Sequence, residues 1–142
     1  MRNLLFVVSM FVVSSLLTAQ DSFADADSIS GVVSISKDLE KGLTPTGVLF
    51  IVARAAGDTK PGMPPLAVLR IPQPKFPQSF TIGSKNSMMG GKFEGEMLVL
   101  ARYSASGDAL DKAGPQGTDP KNQKVRPGKS DLKIELLVQK KK

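Results

Sequence analysis

Two arginines close two nearly identical phrases. Residues 49–58 read LFIVARAAGD, and residues 97–108 read MLVLARYSASGD. Each is an apolar run that ends in Ala-Arg and passes through small residues to Gly-Asp. If Arg54 and Arg102 emerge at one end of the molecule, their heads could hold a carboxylate or a peptide backbone by paired, charge-assisted hydrogen bonds. Tyr103, Ser104 and Ser106, just beyond the second arginine, are grouped with them as candidate binding residues. The structural alternative is simpler. An arginine at the end of a core strand lays its stem on the core edge and keeps its head in water.

Other chemistry is bounded by what is missing. The chain has 142 residues, a net charge of +6, and no Cys, His or Trp. Without cysteine there are no disulfides, no thiol chemistry and no covalent haem attachment to this chain. Without histidine the commonest general base and metal ligand are gone, and with them most hydrolytic triads and zinc sites. The expectation is a non-enzymatic protein that needs no cofactor. Met63, Met88, Met89 and Met97 are soft ligands of the kind that select Cu(I). They lack an M-x-x-M spacing, so core and loop filler is the preferred reading and no metal is assigned. A small-ligand or Cu(I) carrier stands as the alternative function.

Glu94 and Glu96 would share one face if they lay on a strand, but no base or pocket motif accompanies them. They read as a solvated edge. Asp108 and Asp111 follow the Ser-x-Ser-Gly turn and suit side-chain turn hydrogen bonds. Lys121, Lys124, Arg126, Lys129, Lys133 and Lys140–Lys142 make the C-terminal region basic. Aromatic interleaving for single-stranded nucleic acid is absent, since Tyr103 is the only tyrosine. The basic region reads as a solvated tail, or as a patch that steers an acidic or membrane-adjacent partner.

Something must position these residues, and the chain divides accordingly. Arg2, the apolar stretch Leu4–Leu17 and the small, polar segment ending at Ala24-Asp25-Ala26 read as a secretory signal peptide, residues 1–26. Cleavage after Ala19 is a rival, and an uncleaved anchor the alternative to both. The remainder, residues 27–142, reads as one exported domain, basic and free of disulfides, which suits a bacterial periplasm. SISGVVSIS alternates polar and apolar residues, as a strand with one wet face does. KDLEKG holds at most one helical turn before Gly42 and Pro45. GVLFIVARA and EMLVLARYS are apolar on both faces, which predicts central strands covered on both sides. LAVLRI, SFTIG and DLKIELLVQ supply further strands. Phe50, Val52, Val68, Phe80, Leu98, Leu100, Leu136 and Val138 are the predicted core. Residues 104–130 show no strand pattern, and loops so long are usually functional or disordered. The expected fold is an all-β, immunoglobulin-like antiparallel sandwich of about 6–8 short strands.

The order GVVSISKDL, TGVLFIVARAAG, MPPLAVLRI, FPQSFTIGSKNSMM and EMLVLARYSASGDA resembles the periplasmic C-terminal domain of the cytochrome c biogenesis factor CcmI or CycH. The match runs from Gly31 to Ala109. It implies an immunoglobulin-like sandwich that holds unfolded apocytochrome c, or hands it to a haem-delivery component, and that associates peripherally with a membrane complex. Nucleic acid is not an expected partner. The chain departs from the family pattern after Ala109, where GPQGTDP is a loose echo and the segment is richer in lysine. Family members also carry membrane helices and helical repeats ahead of this domain.

Overall fold

The computed structural model describes residues 27–57, 60, 62–88 and 93–138. Residues 1–26, on which the signal-peptide reading falls, Met89 and Lys140–Lys142 lie outside the described residues. Among the described residues, seven strands and two short helical turns follow in order: β1 (Ser28–Ile35), α1 (Lys37–Glu40), β2 (Val48–Ala55), β3 (Ala67–Pro72), β4 (Gln78–Gly83), a 3-10 turn (Ser84–Asn86), β5 (Met97–Ser104), β6 (Gln116–Thr118) and β7 (Leu132–Leu136). They form two sheets, β4-β1-β7 and β3-β2-β5-β6, so the expected sandwich is present. Pairing is antiparallel except between β1 and β7, the first and last strands.

The alternation in β1 does what period two requires. Ile29 and Val33 are buried, while Val32 and Ser34 face solvent. β7 repeats the pattern, with Leu132, Ile134 and Leu136 buried between Lys133 and Glu135. Gly31 lies opposite Leu132, so close that a Cβ would collide with its carbonyl. The absent side chain lets β7 approach β1. After β1, Ser36 caps α1 by accepting from the Leu39 N–H at 3.4 Å. The turn ends as the sequence predicts, with the Gly42 N–H on the Leu39 carbonyl.

β2 and β5 are both central, but in the same sheet and as antiparallel neighbours. Leu49, Ile51 and Ala53 join the main core from inside the sandwich, with Val99, Ala101 and Tyr103 from β5. Val48, Phe50 and Val52 form a second, smaller cluster on the outer face, with Val68 packed against it. Among the described residues, cross-strand neighbours cover that face together with the turn at Gly107, whose Cβ position would contact Val48. Of the predicted core, Phe50, Val52, Phe80 and Leu136 are buried, and Val68 and Leu100 are half-buried. Leu98 and Val138 are exposed instead, at 39% and 65%. Leu98 stands beside Arg54 at the rim of the outer face, and Val138 lies beyond the end of β7.

Residues 104–130 are more ordered than expected. They contain β6, which pairs with β5 through Leu100, Ala101 and Arg102. Beyond β6, Val125 exchanges two backbone hydrogen bonds with Met97, at 2.7 and 2.9 Å. Too short and too rich in Gly and Pro to show alternation, this edge is still held by backbone pairing, which demands no sequence pattern. β6 also crosses to the other sheet, where Gln116 and Leu137 exchange backbone hydrogen bonds. Glu94 and Glu96 precede β5 in a loop and share no strand face. Among the described residues, no helix is long and apolar enough to cross a membrane.

Candidate functional site

Arg54 and Arg102 share the outer face of the four-stranded sheet but not one exit. β2 and β5 run in opposite directions, so Arg54 sits opposite Leu98 while Arg102 sits opposite Phe50. Four residues of β2 separate the two rows, about 13 Å of strand. Their heads turn to different loops. Arg54 donates from Nη1 to the Met63 carbonyl at 2.9 Å, and Arg102 from Nη2 to the Ala109 carbonyl at 2.7 Å. The premise of a shared carboxylate clamp, strands leaving the core at one end, therefore fails. Arg102 Nε is buried without a hydrogen-bond partner.

The residues after Arg102 build the fold's end rather than an open surface. Tyr103 points into the core at 3% exposure, and its hydroxyl accepts from the Thr44 N–H at 2.9 Å. A Cβ at Gly47 would fall on that hydroxyl, so only glycine fits there. Ser104 is fully buried and shares a 3.2 Å hydrogen bond with Ser106. Ser106 is exposed and donates to Asp111 Oδ2 at 3.4 Å. Asp108 and Asp111 accept backbone N–H groups of Leu110 and Ala113, the turn role read from the sequence. Thr44 and Thr46 both donate to the Ala105 carbonyl, at 2.6 and 2.8 Å, tying this turn to the entry of β2. The described methionines occupy unlike places: Met97 is fully buried in the core, and Met63 and Met88 are exposed on loops.

A different region offers a groove. The seam between β6 and β7, on the outer face of the three-stranded sheet, encloses about 450 Å³ lined by Ser34, Gly117, Thr118, Lys133, Glu135 and Leu137, among others. An adjoining hollow of about 340 Å³ shares Ser34 and Lys133 and reaches Val32 and Asp131. Together they follow β7 from Asp131 to Leu137, six residue steps or about 20 Å. Val32, Leu137 and Val138 expose apolar surface along or beside this path, at 40%, 55% and 65%. Lys133 gives it one positive charge, and Glu135 and Asp131 two negative ones. Gly117 makes the seam possible, since a Cβ there would strike the Glu135 carbonyl.

Asp119 anchors that seam. Only 5% exposed, its carboxylate accepts four hydrogen bonds. Oδ1 takes the N–H groups of Lys121 at 2.9 Å and Asn122 at 3.3 Å. Oδ2 takes Asn122 Nδ2 at 2.8 Å and the Lys133 N–H at 3.0 Å. Burial pushes the carboxyl pKa up, but the hydrogen bonds from the Lys133 N–H, the Asn122 side chain and the Lys121 and Asn122 N–H groups outweigh it. The net shift is below the ordinary value of 3.8. Sequence reasoning passed over this residue. The one signal available was Asp-Pro after a short Gly-Thr run, which marks a turn but not a clamp on a strand distant in sequence.

Comparison with known proteins gives one family. The model of the cytochrome c-type biogenesis protein H Ig-like domain matches residues 29–138. No curated protein matches the chain. Among solved structures, an alternative pilotin from the type II secretion system of Vibrio cholerae aligns at 15% identity and a TM-score of 0.46. The alignment covers 80% of this chain and 98% of that one.

Proposed function

From the premise that this chain belongs to the family of cytochrome c-type biogenesis protein H Ig-like domains, we propose that it is a non-enzymatic, extracytoplasmic binding module that holds an extended segment of apocytochrome c along β7. Family membership carries the cytochrome c maturation role. The groove at the β6–β7 seam is the observation that favours an extended polypeptide. Its lining follows β7 for about 20 Å, which accommodates six extended residues. That lining carries apolar side chains beside Lys133, Glu135 and Asp131. Such a lining grips alternate side chains of a strand-like peptide while backbone groups meet polar atoms.

The test is fluorescence anisotropy of labelled apocytochrome c segments titrated with the domain. Leu137→Asp places a charge on the apolar rim at a side chain already 55% exposed. The expected result is a loss of affinity of about tenfold or more, the factor that corresponds to about 1.4 kcal/mol, with an unchanged unfolding midpoint. Unaltered affinity in a folded Leu137→Asp variant would move the binding site off β7. Failure of every apocytochrome segment to bind would remove the partner.

A further inference from the structure

We propose that the outer face of the four-stranded sheet docks on an anionic phospholipid surface. Strand register lays out this face row by row. One row carries Arg70, Phe50, Arg102 and Gln116 side by side, and the next carries Val68, Val52, Leu100 and Thr118. A third holds Arg54 beside Leu98. No strand position on the face is acidic. Arg70 and Arg102 flank Phe50 from the two neighbouring strands, two strand spacings or about 10 Å apart. Phe50 between them is almost wholly covered; Arg70 is exposed, and Arg102, half-buried, keeps Nη2 on the Ala109 carbonyl. None of the three arginines meets a carboxylate among the described residues, where Arg126–Glu96 is the one ion pair.

The centre of the face is covered, with Val48, Phe50 and Val52 at 2%, 4% and 6% exposure, and more accessible apolar side chains lie around it. Leu98 is 39% exposed, and Val68 and Leu100 are half-buried. An apolar side chain also projects from the loop at each arginine. Met63, whose carbonyl holds Arg54, is 45% exposed, and Leu110, next to the carbonyl that holds Arg102, is 83% exposed. Cations interleaved with exposed aliphatic side chains match an anionic headgroup layer over acyl chains, since the charges pair with lipid phosphate and the aliphatic tips enter the boundary. The chain's net charge of +6 adds attraction at longer range. The β7 groove is lined mainly by the outer face of the other sheet and meets the docking face only at Thr118 of β6, so docking would leave its β7 side open to solvent. Docking does not depend on the groove's occupant.

The test is co-sedimentation of a chain beginning at Asp27, which retains every described strand and the whole core. It is mixed with vesicles of phosphatidylglycerol and phosphatidylcholine, or of phosphatidylcholine alone. Binding is expected only to the anionic vesicles, and it should weaken with salt. Each arginine near such a surface contributes about fivefold, so Arg54→Gln/Arg70→Gln/Arg102→Gln should lower partitioning about 100-fold. Replacing Lys140–Lys142 by Gln should change it only a few-fold. Loss of binding in the lysine variant with retention in the arginine variant would assign the effect to the tail and overturn the proposal. Equal binding to neutral vesicles, or none to anionic ones, would also overturn it. Should the triple arginine variant not fold, Leu98→Glu, at an exposed position, must abolish vesicle binding while leaving the unfolding midpoint in place. An acidic helical peptide that binds this face when vesicles do not would replace the membrane by a protein partner.

Discussion

Replacing Asp119 by Asn changes almost no volume but removes a charge and turns one acceptor into a donor. The oxygen of the new amide can serve only one side of the clamp. If it stays with the Lys121 and Asn122 N–H groups, the NH2 group faces the Lys133 N–H, donor against donor. The Asn122 side chain can flip to offer its own oxygen, but a backbone N–H cannot. A hydrogen bond to a charged group contributes about 1.5–3 kcal/mol, and leaving a donor unpaired costs about as much. The expected loss is therefore about 2 kcal/mol for Asp119→Asn, and about 3 kcal/mol for Asp119→Ala, where the exposed part of the turn regains water. Urea denaturation at neutral pH measures both. The pH dependence checks the cause. A carboxyl whose folded pKa is depressed contributes stability that is present above its unfolded value, near 3.8, and is lost as pH falls through the lower folded value. The gap between wild type and Asp119→Asn should then be widest near neutrality and shrink below about pH 4. A cost under about 0.5 kcal/mol at neutral pH, below the usual worth of a single hydrogen bond, would refute the reasoning. So would a gap that does not change with pH.

Four further outcomes follow from the packing. Phe50→Ala should cost about 3 kcal/mol in chemical denaturation, the low end for a core aromatic because Phe50 belongs to the smaller cluster and not to the main core. Leu98→Ala, at the rim, should cost under about 1 kcal/mol by the same measurement. Gly117→Ala should cost about 1–3 kcal/mol, since its Cβ would meet the Glu135 carbonyl and force β6 off β7. Tyr103→Phe, which leaves the Thr44 N–H without its acceptor, should lower stability by about 1 kcal/mol with no change in fold by circular dichroism.

Much of the fold was legible because local rules act on it directly. The alternation in β1 and β7, the doubly apolar runs of β2 and β5, and the one-turn helix ended by Gly42 each answer to a period or a stop signal within a few residues. The resemblance to CcmI or CycH likewise rests on ordered motifs, and the family comparison agrees with it. The errors arose where burial depends on what lies alongside. Leu98 is apolar on a central strand, yet its row ends at the rim beside Arg54. Val138 continues the β7 alternation by one step after the sheet has ended.

The candidate site divides in the same way. Composition alone removed thiol, imidazole and disulfide chemistry, because a side chain that is missing cannot be supplied by folding. The kinds of residue on the surface, arginines at strand ends and a basic tail, could also be read from the chain. Whether Arg54 and Arg102 meet could not, because strand direction is set by pairing between segments about 50 residues apart and not by either segment's composition. The tertiary structure decided that they serve one face and two loops. It also decided that Asp119, one aspartate among several, holds a strand 14 residues away. A hydrogen bond between distant backbone and side chain leaves no period in the sequence, so only the folded chain brings the carboxylate to the N–H that needs it.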